Sequence, residues 1–207
     1  MNNAGVNRDR MFASMTEAEW DTIMAVHLKG HFCITSHAVH YWRGKSKEGK
    51  AVDARIINTT SGAGLQGSVG QSNYAAAKAG IAALTLNQGV ELARYGITAN
   101  AVAPAARTNM TTSVEAMATR MAKPEDGSFD FFAPENVSSL LVWLGSSESA
   151  HVTGCVFEAE GGKISLADGW RKGPEVDKGD RWAPSEVGGA VKTLLEQAVP
   201  AQKVYGS

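Results

Sequence analysis

Short β-branched runs alternate with long helical patterns along this chain, and that alternation restricts the fold more than any other feature. Arg55-Ile56-Ile57-Asn58 reads as a strand. Tyr74 to Tyr95 is rich in alanine and reads as a long helix, ended by Gly96 where a helix C-terminal cap is expected. Ile97 to Ala103 forms a second buried strand, stopped by Pro104. Pro134 suits the first turn of another helix running to about Leu144. Cys155-Val156-Phe157 is a third strand, closed by Gly161-Gly162. Strands separated by helices pair in parallel, because the chain crosses back before each new strand. The expected fold class is therefore an α/β parallel sheet with flanking helices.

Upstream, Thr16-x-x-Glu19 is a capping box. Trp20, Ile23, Met24, Leu28, Phe32, Ile34 and Val39 follow at a spacing near 3.6, predicting one long helix or two abutting ones to about Arg43. Gly44 to Asp53 reads as a polar loop. Ser61 to Gly70 holds Gly62, Gly64, Gly67 and Gly70 and reads as a loop, as does the irregular stretch Arg107 to Asp130. From Lys163 the chain becomes a tail rich in glycine, charge and tryptophan, before Ser185 caps a last helix. Its stripe of Val187, Val191, Leu194, Leu195 and Ala198 docks either on its own domain or on a partner. The expected organisation is residues 1–162 as the main domain and 163–207 as an extension with a terminal amphipathic helix.

With 207 residues the chain suffices for one good-sized domain. Twenty basic residues against 21 acidic ones leave a net charge of −1, without the basic excess of a nucleic-acid binder. No apolar run approaches the roughly 18 residues of a membrane span. The N-terminus has neither the basic nor the apolar region of a signal peptide. Two cysteines, Cys33 and Cys155, are too few for a disulfide framework and read as buried thiols. These features point to the cytoplasm, with no nucleic acid and no membrane.

Tyr74 and Lys78 are four apart near a helix start and share one face. Phenol, with a pKa of about 10, is a poor base at neutral pH. A nearby ammonium favours the phenolate and lowers that pKa, so the pair is a plausible acid/base unit. Ser61 ends a strand, where a parallel sheet places its ligand crevice. Its hydroxyl could hold a substrate oxygen near Tyr74. The same Tyr-x-x-x-Lys spacing also occurs on ordinary solvated helix faces.

Asn2-Asn3-Ala4-Gly5, Ser61 thirteen residues before Tyr74, Tyr74-x-x-x-Lys78-Ala79-Gly80 and Asn100-Ala101-Val102-Ala103-Pro104 occur in one order. Together they resemble the short-chain dehydrogenase/reductase family from residue 1 to about 162. That resemblance implies a Rossmann-type sheet and hydride transfer between NAD or NADP and the hydroxyl/carbonyl pair of a small-molecule substrate. It implies Tyr74 as the general acid/base and Lys78 as the residue that lowers its pKa and binds the nicotinamide ribose. Ser61 would position the substrate oxygen. Asn3, Ala4 and Gly5 would line the cofactor, and Pro104 and Thr108 would touch its nicotinamide end. His27 stands where the family often has an asparagine that holds a proton-relay water, and could serve that relay. Ala105 replaces the usual glycine after the proline. The stretch Ala103 to Thr111, with His27, looks closer to the (3R)-hydroxyacyl-CoA dehydrogenase branch, as in peroxisomal multifunctional enzyme type 2. A 3-hydroxyacyl-CoA or steroid-type substrate follows from that likeness. Members are commonly dimers or tetramers, so a homo-oligomer is expected.

Gly62-Ala63-Gly64-Leu65-Gln66-Gly67 matches the G-x-G-x-x-G dinucleotide fingerprint. It is rejected as one: Ser68-Val69-Gly70-Gln71 separates it from the helix, and no strand ending in an acid follows about 20 residues on. The family's true fingerprint lies in a first βαβαβ half that this chain is expected to lack, about 60–90 residues. One explanation is a reading frame started late, with Met1 in the place of a valine. A chain without that half is expected to be unstable, aggregated or dependent on a partner. It would then bind cofactor doubtfully, and an inactive fragment acting as a binding or assembly module, or complementation by a second polypeptide, are the alternatives.

The remaining clusters stay open. His27 with His31, and His37 with His40, point to different faces, so no metal is expected. Met110, Met117 and Met121 either line an apolar pocket or fill core gaps. Trp170 and Trp182 either cover the substrate mouth or anchor the tail.

Overall fold

A computed structural model describes residues 1–112 and 115–207, the side chain of Ala116 aside. Two compact units emerge: residues 1–167 with 204–207, and residues 168–203.

The first unit is a four-stranded sheet with helices on both faces. Its strands are β1 (Ala54–Thr59), β2 (Ile97–Ala105), β3 (Val156–Glu160) and β4 (Lys163–Leu166), in that spatial order. β1, β2 and β3 pair in parallel, and β4 returns antiparallel to β3. Asn2 adds a one-residue parallel bridge at Asn58, on the side of β1 away from β2. The helices are α1 (Glu17–Ile23), α2 (Gly30–Lys47), α3 (Gly62–Gln66), α4 (Ser72–Leu92), α5 (Glu115–Arg120) and α6 (Glu135–Gly145). In the second unit, α7 covers Pro184–Gln197.

Alternation along the strands makes two cores. Ala54, Ile56, Ile97 and Ala99 pack with Leu92 of α4 and Val39 and Trp42 of α2. Ile57, Val102 and Ala159 pack with Val137, Leu140 and Leu144 of α6. The result is an α/β/α sandwich of Rossmann type, a partial domain.

Several elements differ from the sequence expectation. The Thr16–Glu19 capping box forms, but the helix runs on to Lys47 through a π-helical stretch, Met24–Lys29. Ile23, His27, His31 and Thr35 are the buried positions, whereas Phe32 and Ile34 are exposed. Positions four apart drift about 40° around an α-helix, and the wider π turn cancels part of that drift. The glycine loop contains α3, and the stretch read as irregular contains α5, apart from residues 113–114, which lie outside the described residues. β2 continues through Pro104 to Ala105. Ala101 donates its N–H to the β3 side, so the nitrogen three residues later faces the β1 side, where β1 has already ended opposite Val102. Proline there removes no ladder bond. Lys163–Leu166, read as tail, is the antiparallel strand β4. The last helix starts at Pro184 rather than at Ser185, with Glu186 accepting from the Ala183 N–H. Cys33 and Cys155 are free and half-buried rather than buried, and Trp170 is fully exposed. No described helix is long and apolar enough to cross a membrane.

Candidate active site

The C-terminal ends of β1 and β2 are where a doubly wound sheet binds its ligands. Asn58, Thr59 and Thr60 build the floor of that end. The Asn58 amide, fully buried, donates to Thr85 Oγ1 and Gln88 Oε1 of α4, both at 2.9 Å, and accepts from Asn2 Nδ2. Thr60 Oγ1 donates to the Lys78 carbonyl at 2.7 Å. Thr59 Oγ1 donates to Asn3 Oδ1 at 3.0 Å. These bonds clamp α4 and the N-terminal segment onto β1, and leave Asn3 and Ala4 exposed beside the strand end.

Ser61 caps α3, its Oγ accepting from the Ala63 N–H at 3.2 Å. The Ser61 side chain also stands close enough to the Tyr74 phenol to favour its ionised form. Asn73, fully buried, ties the start of α4 to the Arg8 and Glu19 carbonyls and accepts from the Tyr74 N–H. Lys78 is 3% exposed; its Nζ donates to the Thr59 carbonyl at 2.7 Å and lies 5.5 Å from the centre of the Tyr74 ring. Burial without an acidic partner lowers the Lys78 pKa to about 8. Tyr74 shifts the other way: burial raises its pKa above the ordinary value, and the Ser61 side chain offsets only part of this. Spacing alone suggested a lowered value. The ammonium is aimed at Thr59 rather than at the phenol oxygen, so it does not reverse the effect of burial.

His27 meets this pair from the π turn. Its ring packs edge-on against Tyr74 at 5.1 Å between centres, and a Cβ on Gly5 would stand 2.7 Å from its Cε1. Nε2 lies 2.8 Å from the Val6 carbonyl and 3.1 Å from the Val6 N–H. The shorter contact assigns the proton to Nε2, leaving Nδ1 a buried acceptor without a partner among the described residues. His31 donates from Nδ1 to the His27 carbonyl at 2.7 Å. Burial, then the Lys78 charge, lowers its pKa to about 4; burial also lowers that of His27.

Pro104 is exposed at the end of β2. Thr108 follows in the next loop, its N–H donating to Thr111 Oγ1 at 2.8 Å. Arg107 holds the base of that loop by pairing with Asp130 and donating to the Met121 carbonyl. Met121 is buried.

Gly62 and Gly64 open α3 rather than a phosphate loop. A Cβ on Gly64 would stand 2.6 Å from the backbone of Lys78 and Ala79, so this glycine admits the crossing of α4. Sequence reasoning missed Asn58, Thr59, Thr60 and Asn73. The only hint was a polar Asn-Thr-Thr run at the end of a β-branched strand.

The short chain dehydrogenase family model matches residues 1–119. The chain belongs to the short-chain dehydrogenase family. Hydroxyacyl-CoA dehydrogenase ChsB1 of Mycobacterium tuberculosis is 43% identical over 209 residues, covering 98% of this chain and 64% of the relative. The (3R)-3-hydroxyacyl-CoA dehydrogenase of Rattus norvegicus is 34% identical over 160 residues, covering 77% of this chain and 60% of the relative. The crystal structure of a short chain dehydrogenase from Mycobacterium avium superposes with a TM-score of 0.88 at 59% identity, covering 99% of this chain and 66% of that one. This short-chain dehydrogenase chain thus spans just under two thirds of the length of these relatives.

The implied nicotinamide cofactor fits the residues present. Among the described residues, Lys78 spends one of its three N–H groups on Thr59, and the others stand beside Tyr74. Such surplus donors suit ribose hydroxyls, and the exposed Asn3 and Ala4 backbone borders the same strand end.

Proposed function

We propose that this chain carries the substrate-side machinery of an NAD(P)-dependent oxidoreductase interconverting a hydroxyl and a carbonyl. A 3-hydroxyacyl-CoA or steroid-type thioester is the proposed substrate class, in line with the names of the relatives. The observation that carries the reading is the buried Lys78 ammonium 5.5 Å from the centre of the Tyr74 ring, with Ser61 acting on the same phenol.

The cofactor, when bound, supplies or accepts the hydride. Asn3, Ala4, Gly5, Pro104 and Thr108 would border it, and Lys78 would bind its ribose. Ser61 holds the substrate oxygen at the phenol of Tyr74. In the oxidation direction Tyr74 takes the hydroxyl proton as the hydride leaves carbon; in reduction it returns one. Burial keeps Tyr74 protonated at rest, which suits the donor role directly. Taking a proton requires the phenolate to be favoured, and a cationic Lys78 together with a bound ribose would do that. His27 Nδ1 is the acceptor through which a water would relay the proton outward.

Turnover of a 3-hydroxyacyl-CoA with NAD or NADP, followed at the nicotinamide absorbance, tests this. Tyr74→Phe is expected to abolish turnover, and retained turnover would refute the role assigned to Tyr74. Cofactor titration of this chain alone, and with a second polypeptide supplying a glycine-fingerprint half, separates a self-sufficient enzyme from a complemented or inactive one.

Self-association is proposed through α2 and α4. Leu28 and Phe32 share an apolar groove with Leu84, and Val39 shares one with Val90 that Arg43, Glu91 and Arg94 rim with charge, leaving apolar side chains on adjacent helices. A second copy presenting the same surface would cover both. The cytoplasm is proposed as the compartment, in keeping with two free thiols.

A further inference from the structure

The last four residues leave the second unit and rejoin the first. They land on the glycine loop between β1 and α4. Tyr205 bridges Ser68 in parallel, accepting from the Val69 N–H at 2.9 Å and donating to the Gly67 carbonyl at 3.3 Å. Ser207 donates from its N–H and its Oγ to the Val204 carbonyl, closing a turn at Gly206, whose φ is +83°. The loop is shaped for this segment. A Cβ on Gly62 would stand 2.7 Å from the Tyr205 hydroxyl, and one on Gly67 would stand 3.3 Å from Val204. Two of the glycines that imitate a dinucleotide fingerprint are therefore the seat of the C-terminal segment.

The seat adjoins the reacting groups. Gly62 is the residue after Ser61, which acts on the Tyr74 phenol. Tyr205 thus sits against the residue that follows Ser61, beside the C-terminal end of β1. Burial, then the charges of Glu158 and Glu160 of β3, raise the pKa of the Tyr205 phenol. Tyr205 is 47% exposed, so it keeps surface for a ligand.

We propose that Val204–Ser207 form one wall of the substrate crevice, and that Tyr205 determines specificity by limiting the bulk admitted next to Ser61. This rests on the dehydrogenase reading, since it assumes that the reacting carbon sits between Ser61 and Tyr74. The ring offers an apolar face to an acyl chain and excludes branched or ring-bearing groups by volume.

The test uses the intact protein with Tyr205→Ala, Tyr205→Phe, and a chain ending at Lys203. Equilibrium titration gives the affinities for a linear and a branched 3-oxoacyl thioester, a readout that requires no turnover. Removing a ring from the wall is expected to shift the branched-to-linear affinity ratio about tenfold towards the branched ligand in Tyr205→Ala and in the shortened chain. Tyr205→Phe keeps the ring and is expected to keep the ratio. Thermal melts show whether each variant is folded, and the two ring-removing changes are independent of each other. An unchanged ratio in both, or no thioester binding by the wild type, overturns the proposal. A shifted ratio together with retained turnover in Tyr74→Phe overturns the assignment of the acid/base and leaves the wall standing.

Discussion

Lys78 bears the largest electrostatic penalty in the site. Its ammonium is almost wholly buried, and among the described residues it has no carboxylate partner; burial pulls its pKa from 10.5 to about 8. A shift of that size corresponds to about 3 kcal/mol. Lys78→Met, which keeps the stem and removes the charge, is therefore expected to raise the melting temperature at pH 7 while ending turnover. A lower melting temperature, measured calorimetrically, would show that the Thr59 bond outweighs the burial penalty. His31 sets a pH window. Its folded pKa of about 4 lies below the reference 6.5, so the unfolded chain binds a proton that the folded chain refuses between those values. Stability is intact above pH 6.5 and falls by up to about 3 kcal/mol as pH drops towards 4. Burial of His27 acts in the same direction. Denaturant midpoints at pH 7 and pH 4.5 measure the loss, and His31→Gln is expected to shrink it. Ser61, Tyr74 and Lys78 were legible as a group because 13- and four-residue spacings place them on one strand end and one helix turn. Asn58, Asn73 and His31 were not, since a polar residue is buried only when partners distant in sequence satisfy it, as Thr85 and Gln88 do for Asn58.

Helix α4 carries the site, and close backbone crossings set where it lies. Gly64 meets its first half, where a Cβ would stand 2.6 Å from the Ala79 nitrogen. Gly89 meets Gly154 just before β3, again with 2.6 Å to backbone. Neither backbone can yield as a flexible side-chain tip would. Gly64→Ala and Gly89→Ala are each expected to destabilise by about 1–3 kcal/mol in chemical denaturation. Gly64→Ala should also reduce kcat, because it displaces Lys78 itself. Gly89→Ala acts further from Tyr74 and should spare kcat at temperatures where the protein is folded. The long elements were readable from periodicity and caps. The short ones, α3, α5 and β4, were not: five- or six-residue helices and a fully exposed four-residue strand carry too little pattern to read. The π turn was also hidden, because the buried face at Ile23, His27, His31 and Thr35 contains more polar than apolar residues.

At the scale of the whole molecule, the helices of the first unit leave large apolar side chains in solvent. Phe32 and Val90 are 57% and 82% exposed. If the proposed surface pairs with a second copy, Phe32→Glu with Val90→Glu is expected to lower the sedimenting mass to that of a single chain; unchanged sedimentation would reject this face. The sequence by itself determined the α/β class, the order of the main strands and helices, and the local grouping of Ser61, Tyr74 and Lys78. Those properties arise from periodicity, caps and fixed spacings within a few turns of chain, so neighbouring residues suffice to specify them. Only the tertiary structure decided that burial raises the Tyr74 pKa, that the His27 ring packs edge-on against Tyr74, and that the C-terminal residues sit on the glycine loop. Each of these depends on which surfaces meet after the chain has crossed the sheet, and on how much water those meetings remove.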